Sequence, residues 1–289
     1  MEATAIRRIK NEYLDVQARD SISSREFWQI QEEIFGRIEA VFPEPGHSGI
    51  ADTLTKFFRY WHDLNNTPQD PGVKAAVAEV GDELATMMKE AYRQLENISA
   101  SILQINDGSV AGGQMKDQVD TVNGILAQVR ELTESIKLIY AHGNQPNDLL
   151  DKRDLLLDRL SEYGPVSVVH ETVAGKPTGE IVLTFFGMDV RDAGVSVSVT
   201  YTPGDPGNPE NPGEVRLLIG DGAANKEISL TTSKSGTLPG LEEIRRRVFG
   251  YAENLNKLSA ALTSTVNQVH NPDGGGQDFF TGSLADGSF

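Results

Sequence analysis

Residues 241–269, LEEIRRRVFGYAENLNKLSAALTSTVNQV, decide the architecture, because Leu241, Ile244, Val248, Tyr251, Leu255, Leu258, Leu262, Val266 and Val269 recur at unbroken spacings of three and four. That period lays them along one seam of an α-helix, and a seam this long needs other helices to cover it. The residues just before it follow another rhythm. From Gly164 the period falls to two, in Val166 and Val168, then Ile181, Leu183 and Phe185, then Val195, Val197, Val199 and Tyr201. Val215, Leu217 and Ile219, followed by Ile228 and Leu230, extend that sheet, so residues 165–232 predict a small antiparallel β domain with one buried face. Pro203 to Gly213 is rich in proline and glycine and carries no apolar side chain, the composition of an exposed hairpin loop.

The helices that cover the seam have to come from upstream. Ile6, Ile9, Tyr13 and Val16, then Phe27, Ile30, Ile34, Ile38 and Val41, repeat at helical spacing, and Ser23-Ser24-Arg25-Glu26 reads as a capping box where the pattern resumes. One helix with a defect and two helices in series both fit. Pro43-Glu44-Pro45-Gly46 breaks the pattern, and a short helix from about residue 50 to 64 carries Leu54, Phe57, Phe58 and Trp61 on adjoining turns. Aromatic area so concentrated reads as core packing rather than as a ligand box.

Asp70-Pro71 marks the next helix start, with Asp as N-cap and Pro at the first helical position. Val73, Val77, Val80, Leu84, Met87, Ala91, Leu95, Ile98, Ile102 and Ile105 follow as heptads, and after Asp107-Gly108 and Gly112-Gly113 the rhythm returns from Met115 through Val119, Val122, Leu126, Val129, Leu132 and Ile136 to Ile139. The preferred reading of residues 70–140 is one very long, kinked rod. The glycines, each costing about 1 kcal/mol relative to alanine in a helix, leave a hairpin partner open. His142-Gly143-Asn144 ends this segment, and a further helix runs from about Pro146 to Tyr163.

The fold class expected is therefore α+β: an elongated helical bundle with long heptad-patterned helices plus an inserted small antiparallel β domain. Its division is 1–164 for the first part of the helical rod, 165–232 for the β insertion, 233–271 for the returning helix, and 272–289 for an irregular Gly-rich tail.

Composition narrows the chemistry. A formal charge of -16 over 289 residues repels a phosphate backbone or an anionic membrane surface, so neither nucleic acid nor membrane is expected as a partner. The absence of cysteine excludes disulfides, thiolate metal sites and a cysteine nucleophile. Met1-Glu2-Ala3-Thr4-Ala5-Ile6-Arg7-Arg8 turns polar at once, and no apolar run of about 18 residues follows, so neither a signal peptide nor a transmembrane helix is expected.

His47, His62, His142, His170 and His270 form no pair at the spacing that would put two imidazoles on one helical face. Asp148, Asp151 and Asp154, interleaved with Lys152, Arg153 and Arg159, read as a salt-bridged helix surface rather than as acid, base or metal ligands. Asn271 to Asp278 has the oxygens and glycines of a calcium loop but not its twelfth-position acid, and reads as a flexible turn. No phosphate-binding glycine loop and no Gly-x-Ser-x-Gly elbow occurs. No catalytic, cofactor or metal site is expected.

Specific residues carry the reading further. Asn147-Asp148-Leu149-Leu150-Asp151-Lys152-Arg153-Asp154, introduced by Gly143-Asn144-Gln145-Pro146 and followed by Leu156-Leu157 and Leu160-Ser161, closely resembles the NDLLDxRD signature of the flagellar hook-associated protein 1 family. Phe57-Phe58 and Trp61 with Asn66-Thr67-Pro68-Gln69-Asp70 resemble that family's FF…W…PxD segment, and Val119-Asp120-Thr121-Val122-Asn123 its VxxIN helix. Ser235 to Leu241 resembles its return from β domain to helix, and Val266-Asn267-Gln268-Val269-His270 with Asp278-Phe279-Phe280 resembles its next marker. Pro239 departs from the glycine common there.

The resemblance implies a structural subunit of the hook–filament junction, needed for filament assembly and motility, and not an enzyme. It implies a protein exported by the flagellar type III route to the cell exterior. The partners implied are hook protein, a second junction protein, further copies of itself in a ring, and an export chaperone held through the C-terminus. Members of the family begin with an NxxNxxTxGY-like segment and finish with a long helix, and both pair into the inner tube. Neither appears here, so the chain alone is expected to be monomeric. The competing class is a surface-exposed adhesin-like binding module, which requires a ligand-binding concavity on the β insertion.

Overall fold

The computed structural model describes residues 11–43, 49–205, 208, 211–285 and 287–289. Ile6, Ile9, the Glu44-Pro45-Gly46 part of the proposed break, His47 and part of the Pro203–Gly213 loop lie outside the described residues. The elements run α1 (Glu12–Val41), α2 (Ile50–Asn66), α3 (Pro71–Ile102), β1 (Gln104–Asn106), β2 (Ser109–Gly112), α4 (Gln114–Ala141), α5 (Asn147–Tyr163), β3 (Val166–Val173), β4 (Lys176–Phe185), β5 (Met188–Asp189), β6 (Ser196–Thr202), β7 (Glu214–Gly220), β8 (Lys226–Ser229) and α6 (Thr237–His270). The class is α+β, with six helices and small antiparallel sheets among the described residues.

Several helix ends follow the sequence. Asp70 caps α3 as expected: its Oδ1 accepts the N–H of Gly72 at 2.7 Å. At the end of α4, Gly143 adopts a left-handed φ of 78° and donates to Tyr140 O at 2.9 Å, which satisfies a carbonyl the helix leaves open. Two expectations fail. Ser23 to Glu26 is no capping box, because α1 continues through it; Ser23 is buried, with its Oγ 2.6 Å from Ser235 Oγ. The long rod over 70–140 is interrupted. Between α3 and α4 the chain forms the antiparallel hairpin β1–β2, with Asp107 at φ 50° and Gly108 at φ 75° as its two-residue turn.

The strands form separate three-stranded meanders, β3-β4-β5 and β6-β7-β8, rather than one extended sheet. In β4, Ile181, Leu183 and Phe185 are buried; in β7, Val215, Leu217 and Ile219 are. The period-two reading thus located the buried faces of both.

The chain divides into two compact units. The first takes in residues 1–32, 102–205 and 213–244, hence α4, α5 and every strand; the second takes in 33–101, 206–212 and 245–289, hence α2 and nearly all of α3. The second unit's core gathers Phe57, Val77, Val80, Leu84, Met88 and Ala91 with Leu255, Leu262, Val266, Phe280, Leu284 and Phe289. Met88 rather than Met87 fills the seam of α3, and Met87 instead accepts a hydrogen bond from Thr53 Oγ1 of α2.

Candidate functional site

The signature residues fall into two clusters, one in each unit. In the first, α5 carries Asn147 to Asp154 after the buried Pro146. Leu150, Arg153, Leu157 and Leu160 lie on one stripe at spacings of three and four, so the stripe that buries the leucines buries Arg153 with them. Arg153 has no exposed surface, which overturns the expectation of a solvated surface position there. Asp148 and Asp151 are exposed, and Asp148 sits in the first turn, where the helix dipole favours it. Leu149 is half-buried, as are Asn147 and Asp154.

Arg153 Nη1 donates to Gly179 O at 2.6 Å and lies 3.3 Å from Thr133 Oγ1 of α4. A buried carbonyl left without a donor is costly, and here a buried guanidinium supplies one. Gly179 lies within β4, between the Thr172–Pro177 and His170–Ile181 pairs where the register shifts, with φ at 85°, and a Cβ there would stand 2.8 Å from Ile136 Cγ2. Both the backbone angle and the close approach to α4 therefore require glycine.

Two further side chains of α4 grip β backbone. Asn123 forms a two-point contact with Val197 of β6, its Nδ2 donating to the carbonyl at 2.7 Å and its Oδ1 accepting the N–H at 2.9 Å. The amide thus stands where a neighbouring strand would pair. Arg130 Nη2 donates to Val195 O at 2.7 Å and to Val190 O at 2.9 Å, which holds the β5–β6 connection. Partial burial lowers its pKa. On α1, Arg19 pairs with Asp158 of α5 at 2.9 Å.

The second cluster is aromatic. Phe57, with no exposed surface, touches Phe58, Phe279 and Phe280 at ring-centroid distances of 5.6 Å, and Trp61 at 6.1 Å. Trp61 packs on Phe279 at 5.6 Å and edge-on to His270 at 6.2 Å. Phe280 stacks on Phe289. Phe58 is the exception: it is half exposed and, with Trp61, Thr265, Val266 and Val269, lines an apolar cleft of about 190 Å³. Asn267 of α6 fixes the Phe279-Phe280 backbone, accepting both N–H groups at 2.9 and 3.0 Å and donating to Phe280 O at 2.7 Å. Asn271 likewise closes the 271–278 turn, bonding to Gly276 through both its amide atoms and to Asp278. The described residues of 271–289 are irregular, as expected, but pack as part of the core, with Leu284 and Phe289 buried.

The sequence brought forward Phe57, Trp61, Phe279 and Phe280, which the fold gathers. Asn123 and Asn267 fall within the family-like motifs, which give them no role. Gly179, Arg130 and Gly81 stand in no motif that singles them out; a Cβ on Gly81 would stand 2.7 Å from the Phe279 ring. Among the described residues no three His, Asp or Glu side chains gather into a group able to hold a metal ion, and no helix is long and apolar enough to cross a membrane.

In both clusters side chains hold backbone and rings within an α+β fold. The chain belongs to the family of the flagellar hook-associated protein FlgK helical domain, whose model matches residues 35–280. It is 25% identical over 175 residues to flagellar hook-associated protein 1 of Bacillus subtilis, covering 61% of this chain and 33% of that one. It is also 25% identical over 250 residues to the protein of the same name from Salmonella typhimurium, covering 81% of this chain and 41% of that one. Among solved structures, the flagellar hook junction protein FlgK from Burkholderia pseudomallei shares the fold, with a TM-score of 0.64 and 22% identity over 89% of this chain and 43% of that one. The chain thus spans well under half the length of each of these proteins.

Proposed function

We propose that this chain is the central part of a structural subunit of the bacterial flagellum, at the junction between hook and filament, without catalytic activity. The observation that supports the reading is the family match over residues 35–280, which takes in both clusters. The relatives that share it are named for the hook. In this reading the NDLLD-type residues and the aromatic cluster are structural: Arg153 holds β4 at Gly179, and Phe57, Trp61, Phe279 and Phe280 close the helical core. Residues 165–232 act as a β insertion within a helical domain formed by 1–164 and 233–271, with 272–289 leading onward. Hook protein, a second junction protein and further copies of the chain are its neighbours in the assembly, reached by flagellar export with a chaperone, outside the cell.

Deletion of the full-length gene in the source organism tests this. Cells that keep hooks but shed unpolymerised flagellin support it, and cells with normal filaments refute it. The isolated 289-residue chain is expected to sediment as a monomer and to form no tubes.

A further inference from the structure

Glycine is unfavourable inside an α-helix, and some of the helical glycines here have a visible packing reason. Gly81 makes room for Phe279, and a Cβ on Gly240 would stand 2.5 Å from Ile30 Cγ2. Gly36, Gly124 and Gly250 have none: a Cβ added at any of them meets nothing within 4 Å. Gly124 lies in α4, which belongs wholly to the first unit. Gly36 and Gly250 are placed differently. Among the described helices, α1 and α6 are the ones that continue well past a division between the units, after Glu32 and after Ile244, and these glycines follow four and six residues later. At the other division that falls in a described helix, after Ser101, α3 ends at once.

The two glycines also sit at one level of the second unit. Arg247, one turn before Gly250, lies 5.4 Å over the ring of Phe35, the neighbour of Gly36. Arg37, on the other side of Gly36, donates to Ser101 Oγ of α3 at 3.0 Å. Side chains thus tie the helices together here while each helical backbone carries an unsupported weak point.

We propose that Gly36 and Gly250 form a paired flexure point at which α1 and α6 bend together. A helix segment without a side chain to pack opens its hydrogen bonds more readily and bends at lower cost. Two such segments side by side yield in concert, where a single one would be splinted by its neighbour.

The chain holds no cysteine, so spin-label pairs can be introduced without background. Labels on Ser167→Cys and Glu79→Cys report on one residue from each unit, and labels on Glu79→Cys and Ser264→Cys report within the second. Pulsed electron resonance on the whole chain is expected to give a broad distance distribution for the first pair and a narrow one for the second. The double variant Gly36→Ala/Gly250→Ala is expected to narrow the first, and to slow amide exchange across residues 33–40 and 247–254 by about five-fold. Gly124→Ala is expected to slow exchange in α4 by a similar factor while leaving the distribution unchanged. The proposal is overturned if the first distribution is already as narrow as the second, or if the double variant leaves its width unchanged. It is equally overturned if Gly124→Ala narrows it as much, or if the double variant lowers the melting temperature, which would mean that the glycines serve packing.

Discussion

In the first unit, Arg153, Asn123 and Arg130 hold β backbone to helices through hydrogen bonds, whereas in the second the Phe279-Phe280 segment is held by ring packed on ring, with Asn267 as its polar clasp. The difference follows from what each segment exposes. A strand edge leaves N–H and C=O groups that must find partners once buried, so a side-chain amide or guanidinium placed opposite them supplies what a further strand would. The tail of the second unit presents large aromatic faces, so removal of apolar area from water does most of the work, at about 1.5–3 kcal/mol for each fully buried ring. One region depends on direction and the other on area. Substitutions should therefore injure them in different ways.

The largest effect is expected in the aromatic cluster. Phe57→Ala removes a ring that contacts Phe58, Trp61, Phe279 and Phe280, and should cost about 4 kcal/mol, with amide protection lost in α2 and the tail while α5 and β4 keep theirs. Arg153→Met should follow at about 3 kcal/mol, since the Gly179 carbonyl loses its donor while the side-chain volume is nearly kept; protection should then fall in β4 and α5. Arg153→Lys should recover only part of that loss, because an ammonium lacks the planar fork. Urea unfolding with residue-resolved exchange checks all three, and an equal loss of protection in both units for either core variant would erase the contrast.

The same contrast explains what was legible in the sequence. Burial of apolar side chains has a period, so the faces of β4, β7, α3 and much of α6 could be read, as could the aromatic segment around Trp61 and the Asp70 cap. Tyr251, Leu258 and Val269 of the α6 seam and Tyr13 and Val16 of the α1 stripe are nevertheless exposed, because the period fixes a stripe and not how far the neighbouring elements cover it. Even in α3, strict alternation of four and three points to Met87, whereas the seam takes two successive steps of four, Val80 to Leu84 to Met88, before returning to three. The charge of Arg153 points to the surface while its register places it on the leucine stripe of α5, and register prevails; one of its partners is the backbone carbonyl of Gly179, which no side-chain pattern announces. The β1–β2 hairpin was too short for a period, yet Asp107-Gly108 is the turn signal that marks it. The clasps of Asn123 and Asn267 depend on contacts with backbone at Val197 and Phe279-Phe280, so the sequence named the residues and not their work.

A smaller effect separates close approach from ring area. Gly81→Ala sets a methyl group 2.7 Å from the Phe279 ring, so the ring must shift or the tail must lift, at about 2 kcal/mol. Because Phe279 packs on Trp61, the emission of Trp61 should change along with stability. Trp28, the other tryptophan, lies in the first unit, so Trp28→Phe isolates the signal. An unaltered spectrum and melting temperature would show that the tail accommodates the methyl freely and that area rather than fit secures it.

The smallest effect, with opposite signs in the two units, is expected from acid. In the first unit, partial burial and then the nearby Glu26 raise the pKa of Glu162 above its ordinary value near 4.5, against Arg159 and Arg25. A raised carboxyl favours the protonated form in the fold, so its stabilising contribution is complete below about pH 4.5 and is lost as pH rises through the raised value. In the second unit, Glu90 is lowered by its hydrogen bonds from Arg93 and then Gln94, so its contribution is present above its ordinary value and is lost as pH falls through the lowered one. Glu162→Gln should therefore be more stable than the parent at pH 7 and equal to it near pH 4. Glu90→Gln should be slightly less stable than the parent at pH 7 and should converge with it only once pH falls below the lowered value. Both carboxylates are substantially solvated, so each difference should shrink in salt. Melting curves of the two variants and the parent from pH 3 to 7 read the signs directly, and a Glu162→Gln variant less stable than the parent at pH 7 would show that an ionised Glu162 is held by Arg159 and Arg25 rather than disfavoured by its burial.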